Sequence, residues 1–219
     1  MQARTIASLL PAATAAVATT QTGTPHPLTT VPLHPIVTTY PWHYNVHHPA
    51  VAPVLPAVQR FVSDVLHARP PRRWLSLLGP SGIGKTYILR QAIACLDRAR
   101  LSGAWKVPTP TGQRGPQIAH LIPAEDLQDW RAPRDYAKYD VLYLEDIGSG
   151  SDLDAGSGRV LRGRIAELLQ LRTGRWTMLC SNSTRPDIAT TLDLRIASRL
   201  KRDESTCLEL PQDVPDYWE

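Results

Sequence analysis

The sequence predicts an α/β fold, a parallel sheet with helices on both faces, and three observations predict it. Short apolar runs of strand length recur at Trp74–Leu78, Ile118–Ile122, Val141–Leu144, Trp176–Cys180 and Thr206–Leu210. Segments of helical spacing lie between most of them. A Gly-rich turn, Gly79 to Thr86, joins the first run to the helical segment after it. Parallel strands need crossovers that cover both faces of their sheet, so alternating strands and helices favour this class. With 219 residues and 42% hydrophobic content, the chain can build one sizeable core rather than two.

The first part of the chain is different in kind. No Asp or Glu precedes Asp64, and Pro11 to Pro56 is rich in Pro, Thr, Ala and His. Repeated Pro favours extended backbone without a core. Residues 1 to about 35 are therefore expected to be a flexible arm, with 36–219 as the folded domain. Tyr40, Trp42 and Tyr44 are expected to dock on that domain. Ile6 to Ala18 loosely resembles a signal or transit segment, but Pro11 and the three threonines from Thr14 to Thr20 make a poor hydrophobic region, so a cytoplasmic location is expected. No apolar stretch approaches the length that spans a bilayer, and no membrane association is expected.

Leu55, Val58, Val62, Val65 and Leu66 recur at helical spacing, and Pro70 and Pro71 end that helix. Trp74–Leu78 is long enough for a buried strand. After Lys85 the spacing is helical again, through Ile88, Leu89, Ala92, Ile93 and Leu96, and stops near Gly103. Cys95, Cys180 and Cys207 lie far apart in apolar runs, which reads as reduced core thiols. His43, His47 and His48 form the only histidine cluster, but no carboxylate or thiolate stands near to complete a metal site.

Gly79-Pro80-Ser81-Gly82-Ile83-Gly84-Lys85-Thr86 matches G-x-x-x-x-G-K-[ST] at every position, between a buried strand and an amphipathic helix. Glycines let the backbone curl so that successive N–H groups face phosphate oxygens. The helix that follows presents its positive end to the same phosphates. The pattern gives Lys85 to the β- and γ-phosphates of ATP and the Thr86 hydroxyl to Mg²⁺, with Tyr87 next in the cradle.

Val141–Leu144 then delivers Glu145 and Asp146 at a strand end, where ligands sit in open α/β sheets. Both are candidate Mg²⁺ ligands, and one can orient or deprotonate the attacking water. Trp176–Cys180 ends in Ser181 and Asn182, whose amide can hold that water or sense the γ-phosphate. Arg195 and Arg199 are four residues apart and share a face if helical. An arginine there can reach a neighbouring subunit's γ-phosphate.

Taken together these segments resemble an AAA+ ATPase of the DnaC-type helicase-loader and IstB-type transposition-helper group. The resemblance runs from about Tyr40 to Tyr217. GPSGIGKT matches Walker A, YDVLYLEDIG resembles Walker B, TMLCSN the sensor-1 strand and RIASRL the arginine-finger helix. HLIPAEDLQDW resembles the strand and helix that follow the family's second strand. It implies ATP and Mg²⁺ as ligands, Asn182 as the sensor, Arg199 as the finger with Arg195 second, and a homo-oligomer joined through Arg199. It also implies a nucleotide switch acting on single-stranded DNA, a replicative helicase or a transposase. Two departures stand out: Glu145 where the group has Asp, and no sensor-2 arginine or separate C-terminal lid domain in the sequence. Slow or partner-stimulated hydrolysis is the expectation.

The net charge of +4 fits contact with nucleic acid without requiring it. Candidate phosphate contacts are Arg131, Arg134, Lys138, Arg159, Arg162 and Arg164. Two rivals are a P-loop small-molecule kinase and a nucleotide-gated adaptor with little hydrolysis. A kinase needs an Arg-bearing lid, and none is legible. The absence of N-K-x-D disfavours a GTPase.

Overall fold

The structure, a computed structural model, describes residues 31–44, 48–69, 73–148, 156–200, 205–211, 213 and 217. In chain order the elements are α1 (Pro35–Thr39), α2 (Leu55–Leu66), β1 (Trp74–Leu78), α3 (Lys85–Leu101), β2 (Val107–Thr109), β3 (Gly112–Arg114) and β4 (Ile118–Leu121). There follow α4 (Pro123–Asp126), α5 (Ala132–Tyr136), β5 (Val141–Leu144), α6 (Gly156–Leu171), β6 (Trp176–Ser181), α7 (Arg185–Thr191), α8 (Leu194–Arg199) and β7 (Thr206–Glu209). The five predicted strands are β4, β5, β6, β1 and β7, in that spatial order, and all pair in parallel. β2 and β3 form a small hairpin apart from the sheet, which the apolar pattern does not signal because the hairpin buries nothing.

Alternation along each strand explains why both faces are covered. Leu75, Leu77, Val141, Tyr143, Met178 and Cys180 point into one core with α2 and α3. Trp74, Leu78, Leu142, Leu144 and Leu179 point into the other, where Ile165, Leu168 and Leu169 of α6 meet Ile188 and Ile196. β1, β5 and β6 are buried along their whole length, as central parallel strands must be.

α2 forms where the spacing predicts it and buries Val58, Phe61, Val62 and Val65. Pro56 sits in its first turn, where a missing N–H costs no helical bond. Docking of the preceding segment starts by Val31, ahead of the boundary expected near 35. Arg60 Nη1 donates to Val31 O at 2.7 Å, and the His34 N–H donates to Ser63 Oγ at 2.8 Å. Tyr40, Trp42 and Tyr44 pack against the α2–α3 core as expected. Residues 1–30 of the arm, His47, Pro70 and Pro71 lie outside the described residues. His43 contributes its backbone, whose carbonyl accepts from Gln91 Nε2 at 2.6 Å. His48 is buried, with Nδ1 accepting from the Ala50 N–H. Among the described residues no three metal-ligating side chains gather, and no helix is long and apolar enough to cross a membrane.

Cys95 and Cys180 are buried and Cys207 half-buried, all as free thiols. At the far end of the sheet Arg172 is fully buried. Its guanidinium donates to Thr177 Oγ1 and to the carbonyls of Ala137, Tyr139, Asp140 and Trp176, tying the starts of β5 and β6 to the turn after α6.

Candidate nucleotide site

The carboxyl ends of β1, β5 and β6 converge on one cavity of about 390 Å³. It is lined by Ser81, Gly82, Gly84, Lys85, Thr86 and Tyr87 from the loop and α3, and by Glu145, Asp146, Cys180 and Asn182 from the neighbouring strand ends. Arg90, one turn further along α3, completes the wall. Of the predicted site residues, Gly79, Pro80 and Ile83 shape the loop without lining the cavity. Gly79, Gly82 and Gly84 all have positive φ. Gly84 (φ +85°) is the N-cap of α3. The opening turn of a helix leaves N–H groups without helical partners, and here that turn faces the cavity.

Lys85 is 6% exposed. Its Nζ donates to Gly79 O at 2.8 Å, to the Pro80 carbonyl and to Asn182 Oδ1 at 3.0 Å. Asn182 Nδ2 in turn donates to Asp146 Oδ1 at 2.9 Å. The lysine, the amide and the carboxylate thus form one polar chain across the cavity floor. Burial pushes the Lys85 pKa below the ordinary lysine value, and the nearby Asp146 carboxylate opposes that shift. Bringing an anion to this cation would offset that desolvation.

The two acids part company at Asp146. Its φ of +53° is left-handed, a conformation that Asp tolerates better than most residues. Its N–H points at Cys180 Sγ, 3.5 Å away. Cys180 also lies 3.8 Å from Thr86 Oγ1 and 3.5 Å from the Tyr143 hydroxyl. Burial raises the thiol's pKa and keeps it neutral. Glu145 turns the other way. Arg90 Nη2 donates to its Oε1 at 3.0 Å and its Oε2 at 3.1 Å, and His120 Nε2 lies 2.6 Å from Oε2. The His120 ring stacks on Tyr143 at 4.6 Å, held there by β4–β5 register.

The residues present fit a magnesium triphosphate. The donor set of hydroxyl and carboxylate oxygens at Thr86, Glu145 and Asp146 suits Mg²⁺, and the glycine curl leaves room for phosphate oxygens beside Lys85.

Other predicted residues lie elsewhere. Arg195 and Arg199 fall on α8, with Arg195 exposed. Arg199 donates to Leu169 O at 3.4 Å and to Thr173 Oγ1 and Gln170 Oε1, around the end of α6. Among the proposed phosphate contacts, Arg134 pairs with Glu167 and Lys138 with Asp135. Arg162 donates to Thr191 O, and Arg164 to the carbonyls of Leu127 and Gln128. Arg131 lies over the Trp130 ring, and Arg159 is exposed.

Sheet order and loop define an α/β P-loop fold. The chain is similar to DnaI, with a TM-score of 0.55 at 21% identity, over 83% of this chain and 92% of that one. It is similar to domain III of the Thermotoga maritima replication initiation protein DnaA, with a TM-score of 0.53 at 16% identity, over 84% of this chain and 70% of that one. A third neighbour is a replication initiator DnaA bound to AMPPCP and single-stranded DNA, with a TM-score of 0.51 at 15% identity over 78% of this chain. The chain spans 49% of that DnaA's length. No family model matches the sequence, and no curated protein matches it.

Sequence reasoning missed Arg90, His120 and Cys180. Arg90 carried a signal: it follows Thr86 by four residues and so shares its helical face. His120 carried none without the strand register.

Proposed function

We propose that this chain binds Mg–ATP and hydrolyses it slowly, as a helicase-loader-like or transposition-helper-like nucleotide switch on DNA or a DNA-bound partner. The observation that carries the reading is the polar chain Lys85–Asn182–Asp146 across a glycine-curled phosphate cradle. Lys85 binds the β- and γ-phosphates, and Thr86, Glu145 and Asp146 hold the metal. Held by those oxygens, Mg²⁺ would supply positive charge to the phosphate oxygens. Asp146 accepts a proton from, or orients, the attacking water, and Asn182 fixes that carboxylate relative to Lys85. Arg199, with Arg195 beside it, acts in trans as the finger of a homo-oligomer. To do so it exchanges its contacts at the end of α6 for a neighbour's phosphate. AMPPCP and single-stranded DNA, the ligands of the DnaA neighbour, are the ligand classes proposed here, in the cytoplasm.

A second reading, a nucleotide-gated adaptor with little hydrolysis, is favoured by one observation. Glu145 is engaged by both Arg90 and His120.

The test is binding and turnover of Mg–ATP by the full chain and by Lys85→Ala, with and without single-stranded DNA and a replicative helicase. Lys85→Ala is expected to lose nucleotide binding while keeping its fold by circular dichroism. Unchanged affinity in that variant refutes the cradle. Turnover that stays negligible under all conditions, with binding intact, selects the adaptor. Arg199→Ala is expected to bind ATP normally and to poison turnover when mixed with wild-type subunits. Mixtures that lose nothing remove the finger.

A further inference from the structure

The chain after β7 grips the phosphate loop at both ends, and we propose that Tyr217 is a latch that keeps this loop in its nucleotide-competent shape. The proposal rests on the nucleotide reading above.

The Leu210 N–H donates to Leu78 O at 2.8 Å, so the chain leaves the sheet beside the end of β1. Leu210 there covers Gly79: a Cβ on that glycine would stand 3.0 Å from the Leu210 Cβ and 3.0 Å from its carbonyl oxygen. Seven residues later the chain is back against the other end of the loop. The Tyr217 N–H donates to Gly82 O at 2.9 Å. The Tyr217 ring lies so close to Gly84 that a Cβ there would meet its carbons at 2.7, 3.0 and 3.2 Å. Gly84 is thus fixed as glycine twice, by its left-handed φ and by the ring above it. Tyr217 is 5% exposed and packs between Tyr87 and His48, with both ring centroids 5.4 Å away.

One side chain therefore touches the loop backbone, the first turn of α3 and the segment before α2. A loop with three positive-φ glycines has much conformational freedom to lose. Tyr217 restricts it without lining the cavity itself. That makes it a positioning residue. Linkage then runs both ways. Closing the latch raises nucleotide affinity, and bound nucleotide holds the latch shut. A partner that draws Tyr217 off the loop would loosen the nucleotide.

The experiment uses the full chain. Affinities for Mg–ATP and for Mg–tripolyphosphate are measured by calorimetry in wild type, Tyr217→Phe and Tyr217→Ala. Hydrogen exchange at the Tyr217 amide is followed with and without Mg–ATP. Tyr217→Phe keeps the ring and is expected to bind like wild type. Tyr217→Ala is expected to weaken both ligands alike, by about ten-fold if the loop then holds its competent shape about a tenth of the time. Nucleotide is expected to slow exchange at the Tyr217 amide. Wild-type affinities in Tyr217→Ala, or amide exchange indifferent to nucleotide, overturn the latch. So does a loss confined to ATP, which would assign Tyr217 to the base. Should Tyr217→Ala fail to fold, Tyr217→Leu and the wild-type exchange measurement decide. A wild type that binds neither ligand sinks the nucleotide reading and the latch with it. A wild type that binds both, with Tyr217→Ala unaffected, removes the latch alone.

Discussion

The cavity has two acidic walls made by consecutive residues. On the inner wall Asp146 meets Asn182, and through it Lys85, with Cys180 packed beneath. On the outer wall Glu145 meets a guanidinium and an imidazole, Arg90 and His120. One strand delivers both acids, and the left-handed backbone at Asp146 sends them into separate networks. The inner carboxylate belongs to a chain that leads to the buried Lys85 ammonium. The outer one is already matched by bases. Position in an acidic motif therefore does not settle a role, since the groups each oxygen faces can divide two neighbours.

The largest expected effect breaks or upholds that division. Asp146→Asn should lower ATP turnover by about a hundred-fold or more, the scale of a lost general base, while Mg–ATP binding persists. Glu145→Gln should cost less turnover and act more on the Mg²⁺ requirement. Equal losses in the two variants would erase the distinction, and a greater loss at Glu145 would reverse it.

A smaller effect sharpens it. Arg90 is well exposed, with 57% of its side chain accessible. If it holds Glu145 away from the metal, Arg90→Ala should lower the Mg²⁺ concentration at half-maximal nucleotide binding. The change should be about fivefold at most, because an exposed ion pair is worth roughly 1 kcal/mol or less. A raised Mg²⁺ requirement would show instead that Arg90 positions Glu145 for the metal.

Most of the inner wall was legible in the sequence; of the outer wall, only Glu145 was. Lys85, Thr86 and Asn182 were found because each sits at a fixed offset from a buried apolar run, and parallel strands bring their carboxyl ends together. The strands were readable for the same reason: β1, β5 and β6 are buried on both faces and so are apolar throughout. The Glu–Asp order was visible, but not that the two acids diverge, because that depends on one backbone angle. His120 reaches Glu145 only through the register of β4 on β5. Tyr217 lies on irregular chain beyond the last strand, with no periodicity to place it against Gly84. β4 and β7, at the sheet edges, are less buried than the central strands, yet their apolar runs still marked them.

The smallest effect concerns the charge at the end of the inner chain. Burial holds the Lys85 pKa below its unfolded value of 10.5. Between that lowered pKa and 10.5, the unfolded chain keeps a proton that the folded chain has released. Lys85 therefore makes nucleotide-free stability rise with pH across this window, and the gain is lost as pH falls through the lowered pKa. Buried thiols act in the opposite direction. Cys95, pushed up to about 12, stays protonated in the fold while the unfolded thiol ionises above 9.0, so it lowers stability at alkaline pH. Comparing wild type with Lys85→Gln cancels the thiols. The stability of wild type relative to that variant, from urea unfolding without nucleotide, should increase from pH 7 towards 10.5. A difference that stays flat or falls would mean that the hydrogen bonds to Gly79, Pro80 and Asn182 already compensate the buried ammonium. The inner wall would then be as well matched without phosphate as the outer wall is.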